Sequence, residues 1–326
     1  MAALFLNRYF EYQINFGVKR MKKTALIFPG QGAQKIGMGK DFYETFSISR
    51  EVYDQAGKWL DMDVKSLCFE ENDKLDITRY TQIGLLTTEL AMLKAVEAME
   101  IVPIVTAGLS LGEYAALTAA GKLSVEDAIR VIDKRGQYMQ EAVPAGGAMA
   151  AVLGLNVETI EKICADTRGI VEIANDNCPG QTVISGEAEA VYLAGEAMKG
   201  AGAKRVAMLN VSGPFHSSML KRAGECLAPE LEHICWLDSD IPYVSNTTAE
   251  LIRDKGMIAP LLVRQVSESV RWQQDMKVMV DMGVEIFVEI GPGKTLAGFA
   301  KRINRKIPCL TIETVKDLEK LEALKC

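Results

Sequence analysis

Ile101-Val102-Pro103-Ile104-Val105-Thr106-Ala107 runs directly into Gly108-Leu109-Ser110-Leu111-Gly112. The first seven residues are apolar and rich in β-branched side chains, which predicts a strand. After Gly112 a short helix is predicted to Ala120, stopped by Gly121. A strand, a glycine-flanked serine and a helix, in that order, is the setting of a nucleophile elbow. The glycines permit a tight turn that pushes the Ser110 hydroxyl out of the sheet. The Leu111 N–H then faces a developing oxyanion at a helix start, where the dipole favours negative charge. G-x-S-x-G alone also fits a glycine-rich structural turn; the flanking strand and helix favour a nucleophile.

Working outward, Thr24 to Phe28 is an apolar strand closed by Pro29-Gly30, and Glu285 to Ile290 is a strand followed by Gly291-Pro292-Gly293. Between them lie helical stretches, such as 81–100, where Leu85, Leu86, Leu90, Leu93 and Val96 recur at helical spacing. Ser124 caps a further helix, with Asp127 at its third position. Alternating strands and helices predict a largely parallel sheet covered on both faces, an α/β fold. Residues 147–211 differ: strand, helix, two short strands separated by the turn-rich loop Asn175 to Gly180, helix, strand. That order is ferredoxin-like. The expected organisation is therefore a catalytic α/β domain from 21–146 and 212–326, interrupted by an inserted α+β subdomain at 147–211. The aromatic-rich first twenty residues fit a secretory signal badly, and 1–20 is read as an extension ahead of Met21.

The chain has 326 residues, 48% hydrophobic and 25% charged, ample for a large core. A net charge of −6 argues against nucleic acid and against adhesion to an anionic membrane. Its seven scattered cysteines form no CxxC pair, so reduced thiols in the cytoplasm are expected rather than disulfides or a metal site. No apolar run approaches the roughly 20 residues needed to span a bilayer.

A serine nucleophile needs a base, and the chain has two histidines. His233 lies in Leu231-Glu232-His233-Ile234, with no special turn, and reads as structural. His216 lies in Gly213-Pro214-Phe215-His216-Ser217, a turn after a strand. A loop histidine bonded to backbone is the plainer alternative; the scarcity of histidines favours His216 as the base. Arg135 shares a helix stripe with Val125, Ala128, Ile129, Ile132 and Met139. An inward guanidinium needs an anion, either an internal Asp or Glu or the carboxylate of a substrate. Gly30-Gln31-Gly32-Ala33-Gln34 and Gly291-Pro292-Gly293-Lys294 lack the pattern of a phosphate loop and are read as loops bordering one crevice.

Several segments together resemble the malonyl-CoA:acyl-carrier-protein transacylases: Ile27 to Gln34, Gly108 to Tyr114, Lys134-Arg135-Gly136, Asn175 to Gly180, Gly213 to Ser217, Leu262 to Gln265 and Glu289 to Lys294. They occur in the family's order and spacing from about Lys22 to Arg305. The resemblance implies an α/β-hydrolase-like fold with a ferredoxin-like insert. It implies an acylated Ser110, His216 as its partner, and a Gln265 backbone carbonyl in place of an aspartate. Gln31 and Leu111 would supply the oxyanion hole, and Arg135 would bind the malonyl carboxylate. Asn175 and Asn246 would border the acyl site, and Phe215 resembles the residue of malonyl-selective members. Malonyl-CoA and acyl carrier protein would be the substrates of a cytoplasmic monomer in fatty-acid synthesis, with no metal or cofactor. One departure is plain: Leu109 stands where the family has histidine. A serine thioesterase or hydrolase on a related fold is the alternative, opposed by the order of Ser110 and His216 and by the presence of Arg135.

Overall fold

Strand β1 (Thr24–Phe28) is buried along its whole length, and its side chains alternate between two cores. Leu26 and Phe28 join one apolar cluster, Ala25 and Ile27 another, as the two-residue period of a strand requires. In this computed structural model, which describes residues 22–143, 145–211 and 213–324, β1 lies inside a six-stranded sheet. The proposed extension at 1–20 falls outside the described residues.

The sheet also contains β2 (Val105–Gly108), β7 (Tyr243–Val244), β8 (Leu251–Ile252), β9 (Ile286–Ile290) and β10 (Cys309–Ile312). Their order is β10-β9-β1-β2-β7-β8; β8 alone runs antiparallel to its neighbour. Helix α1 (Thr78–Glu97) supplies much of the larger core, with Leu85, Leu86, Leu90, Leu93 and Val96 all buried. The strand expected at 101–107 begins only at Val105. Pro103 has no N–H to give a ladder, and Val102 is 64% exposed.

The second sheet comes from β3 (Gly147–Leu153), β4 (Val171–Cys178), β5 (Gln181–Glu187) and β6 (Arg205–Met208). Its antiparallel order β4-β5-β3-β6, with helices Val157–Asp166 and Ala188–Gly200 over an apolar cluster of its own, is the ferredoxin-like arrangement. The loop expected at Asn175 to Gly180 is mostly strand. β4 continues to Cys178, and only Pro179-Gly180 turns the chain. Two register shifts absorb the polar residues, and Val270 adds ladder bonds: Asp176 N–H donates to its carbonyl (2.9 Å) and its own N–H donates to Ala174 (2.8 Å). Val270 lies in a segment between helices of the larger unit, so these bonds fix one sheet against the other. Among the described residues no helix is long and apolar enough to cross a membrane.

Candidate active site

β2 ends at Gly108, and Ser110 follows at φ +55°, a left-handed conformation that non-glycine residues seldom adopt. Two close approaches hold it there. A Cβ on Gly108 would lie 1.9 Å from the Gly112 carbonyl carbon, and one on Gly112 would lie 2.3 Å from the Phe28 carbonyl oxygen. Both glycines of the turn are thus demanded by backbone contact. Helix α2 (Gly112–Ala119) begins at once, with Leu111 at its N-cap.

The backbone of Ser110 is gripped by two side-chain amides. Its N–H donates to Asn246 Oδ1 (2.7 Å), and its carbonyl accepts from Gln265 Nε2 (2.8 Å). Asn246 Nδ2 also donates to the Gly108 carbonyl (2.8 Å) and to Asp275 Oδ2 (2.9 Å). Asn246, expected to border the acyl site, braces the elbow through the Ser110 N–H and is not among the residues that line the cavity.

His216 is 4% exposed and, like Ser110, has a positive φ, +56°. Its Nδ1 lies 2.8 Å from the Gln265 carbonyl and 3.2 Å from that of Glu268. A carbonyl only accepts, so in neutral His216 the proton is assigned to Nδ1 and the lone pair to Nε2. Nε2 sits 2.7 Å from Ser110 Oγ. Burial first, and the Arg135 charge second, hold the imidazole pKa down to about 4. His233 is exposed at the end of the helix Lys221–Glu232, its Nδ1 on the Pro229 carbonyl, and takes no part in this cluster.

Arg135 projects from α3 (Val125–Ala142), whose buried face carries Ala128, Ile129, Ile132 and Met139. It is 1% exposed. Nη1 donates to Gln82 Oε1 (2.8 Å), and Nη2 donates to Gln265 Oε1 (3.0 Å) and Ser110 Oγ (3.1 Å). The guanidinium also lies over the Tyr114 ring, 5.6 Å from its centroid. These partners are all neutral, and Nε has none. The internal ion pair weighed from sequence is not what Arg135 makes, so its buried charge still calls for an anion.

Ser110, His216 and Arg135 meet at one cavity of about 220 Å³. Gln31, Leu111, Asn175 and Phe215 line it, together with Leu109, Gln82 and Met139. Ser110 Oγ there accepts from Arg135 and faces the lone pair of His216, which leaves its own hydrogen directed at Nε2. The acyl transferase domain family matches residues 25–318.

This chain belongs to the acyl transferase family.

Among the relatives of this acyltransferase, the malonyl CoA-acyl carrier protein transacylase of Bacillus subtilis is 43% identical over 304 residues, covering 92% of this chain and 96% of the relative. A solved malonyl CoA-acyl carrier protein transacylase from Clostridium perfringens superposes with TM-score 0.89 at 41% identity, covering 92% of this chain and 96% of that one. A solved complex of a type II PKS acyl-carrier protein with its malonyl-transacylase superposes with TM-score 0.89 at 37% identity, over 91% of this chain and 98% of that one.

Three residues at this site escaped the sequence reading. Gln82 stands in an apolar helix, and that polar interruption was its signal. Glu113 directly follows the elbow, ahead of Tyr114-Ala115-Ala116-Leu117, and is fully buried. Burial pushes its carboxyl up to about 7, against hydrogen bonds from Gln265 and Asn246. Asp275, on the helix Trp272–Asp281, carries no local signal.

Proposed function

We propose that this acyltransferase moves a malonyl group from malonyl-CoA to the phosphopantetheine thiol of an acyl carrier protein, through a malonyl-Ser110 intermediate. The observation that carries the reading is the convergence of His216 Nε2 and Arg135 Nη2 on the one atom Ser110 Oγ. The first is a base and the second a cation placed for an acyl group with a free carboxylate.

His216 Nε2 takes the Ser110 proton as Oγ attacks the thioester carbon. The carbonyl π electrons move to oxygen, and the Gln31 and Leu111 N–H groups receive that oxyanion. Collapse breaks the C–S bond, and the CoA sulfur leaves with the proton from His216. In the second half the carrier thiol gives its proton to His216 and attacks the Ser110 ester. Collapse then breaks the C–O bond and returns the proton to Ser110 Oγ. The Gln265 and Glu268 carbonyls keep Nδ1–H directed away throughout, the orienting task that an aspartate performs in other serine enzymes. Every proton moves among the residues and substrates named.

Intact-mass analysis after mixing with malonyl-CoA tests this. A malonyl adduct is expected on Ser110, absent in Ser110→Ala and discharged by holo carrier protein. Acetyl-CoA should give far less. Release of free malonate as fast without carrier protein as with it would instead establish a hydrolase.

A further inference from the structure

We propose that Glu113 is a positioning residue for acyl-group selection, acting on Arg135 through the side-chain amide of Gln265. The inference rests on the proposed malonyl transfer and deepens it.

Glu113 is fully buried in the first turn after the elbow; it makes no ion pair, and the Arg135 charge acts on it only across the Gln265 amide, as the smallest influence on its carboxyl. Its Oε2 accepts from Gln265 Nε2 (2.8 Å) and from the Asn246 N–H (3.3 Å). Burying a carboxyl for two neutral donors is costly, and a leucine would fill the same space at less cost if filling were the task. The geometry supplies a different task. Both partners of the Gln265 NH2 group, Ser110 O and Glu113 Oε2, act as acceptors, which settles which end of the amide is which. The other end, Oε1, is thereby turned to Arg135 Nη2. A reversed amide would set NH2 against the guanidinium, donor against donor.

Glu113 therefore fixes the amide, and the amide fixes the guanidinium 3.1 Å from Ser110 Oγ. Without Glu113 one amide N–H and the Asn246 N–H lose their acceptor in a buried site, and the amide can turn over. The effect should fall on recognition of the acyl carboxylate. Acetyl transfer, which gives Arg135 nothing to hold, should change less.

The test is competition in one tube: equimolar malonyl-CoA and acetyl-CoA, short exposure, and the ratio of the two Ser110 adducts by intact mass. That ratio is independent of how much of a variant is folded. Glu113→Leu is expected to lower malonyl over acetyl by about tenfold, the scale of one lost buried hydrogen bond. Glu113→Gln can turn its one amide oxygen toward Gln265 Nε2 and should restore the ratio to within about threefold. Gln265→Leu should lower it as Glu113→Leu does, and the double variant no further; if Glu113→Leu does not fold, Glu113→Asp, whose shorter chain withdraws the carboxylate from Gln265, takes its place and should lower the ratio likewise. Wild-type ratios in both leucine variants, or a Glu113→Gln ratio as low as that of Glu113→Leu, would overturn the inference. Absence of any serine adduct in the unmodified enzyme would overturn the proposed function itself, and this inference with it.

Discussion

Arg135 Nη2 stands 3.1 Å from Ser110 Oγ, so the buried cation and the nucleophile share a hydrogen bond before any acyl group arrives. A carboxylate two bonds from the attacked carbon can take that guanidinium while the carbonyl remains on Ser110. Arg135→Ala is accordingly expected to lower kcat/KM for malonyl-CoA by about 100- to 1,000-fold, as loss of a buried charge partner does. Acetyl transfer should lose far less. Arg135→Lys should recover only part, because an ammonium lacks the planar fork. Steady-state transfer to carrier protein with each thioester reads this out.

The position of His216 has a consequence for pH. Its pKa is held down to about 4, by burial first and by Arg135 second. The ring should therefore stay neutral, and competent as a base, throughout the physiological range. NMR of the labelled ring is expected to show no titration between about pH 8 and pH 5. In Arg135→Ala the titration should move upward, toward the usual histidine value. A wild-type midpoint near 6.5 would contradict the role assigned to burial.

Backbone contact at the elbow gives a contrast between two glycines. Gly112→Ala sets a Cβ 2.3 Å from the Phe28 carbonyl oxygen, between two backbones that cannot both yield. A loss of about 3 kcal/mol or more and abolished Ser110 labelling are expected. Gly298, inside the helix Thr295–Ile303, has nothing within 4 Å of its built Cβ and an ordinary φ. Gly298→Ala should stabilise by about 0.5–1 kcal/mol through the unfolded chain and leave transfer unchanged. Thermal and urea denaturation measure both.

Glu89 is an acid held far from its ordinary state. It is fully buried in α1, neither carboxyl oxygen has a partner, and Glu289 lies close enough to repel it. Burial, then that charge, raise its pKa well above 4.5. The folded state thus keeps a proton that the unfolded state has already released. Stability from this group is present at low pH and falls as pH rises above about 4.5. His216 acts in the opposite sense, binding fewer protons folded than unfolded, so the variant must be compared with wild type. Between about pH 5 and 8, Glu89→Gln should remove up to one proton from the slope, about 1.4 kcal/mol per pH unit. Urea titrations across that range check it; an unchanged slope would mean that Glu89 is ionised in the fold.

Leu109, where the resembled family has histidine, is held through its main chain. The elbow is braced at this position by the main chain: the Leu109 N–H donates to the Phe28 carbonyl at 2.9 Å. Any residue but proline supplies that bond. The side chain joins the apolar cluster behind β1 and meets the cavity without a polar contact.

The sequence by itself determined most of the elements and singled out Ser110, His216 and Arg135, which the fold brings together. Strand–GxSxG–helix is partly a local signal: Gly108 is demanded by Gly112, four residues on, whereas Gly112 is demanded by the Phe28 carbonyl on the neighbouring strand. The stripe that turned Arg135 inward is likewise local, since helical periodicity decides which face is buried. Tertiary structure alone decided what those side chains meet. Gln265 lies 155 residues from Ser110 and still donates to its carbonyl, and Asn246, 136 residues away, accepts its N–H. The polar segment at Asn175 is strand because it pairs with β5, and Val270, 95 positions on from Asn175, adds hydrogen bonds along its other edge. Such partners carry no periodicity and no motif. They are selected by the need to satisfy buried donors and acceptors, a condition that exists only once the chain has closed around them.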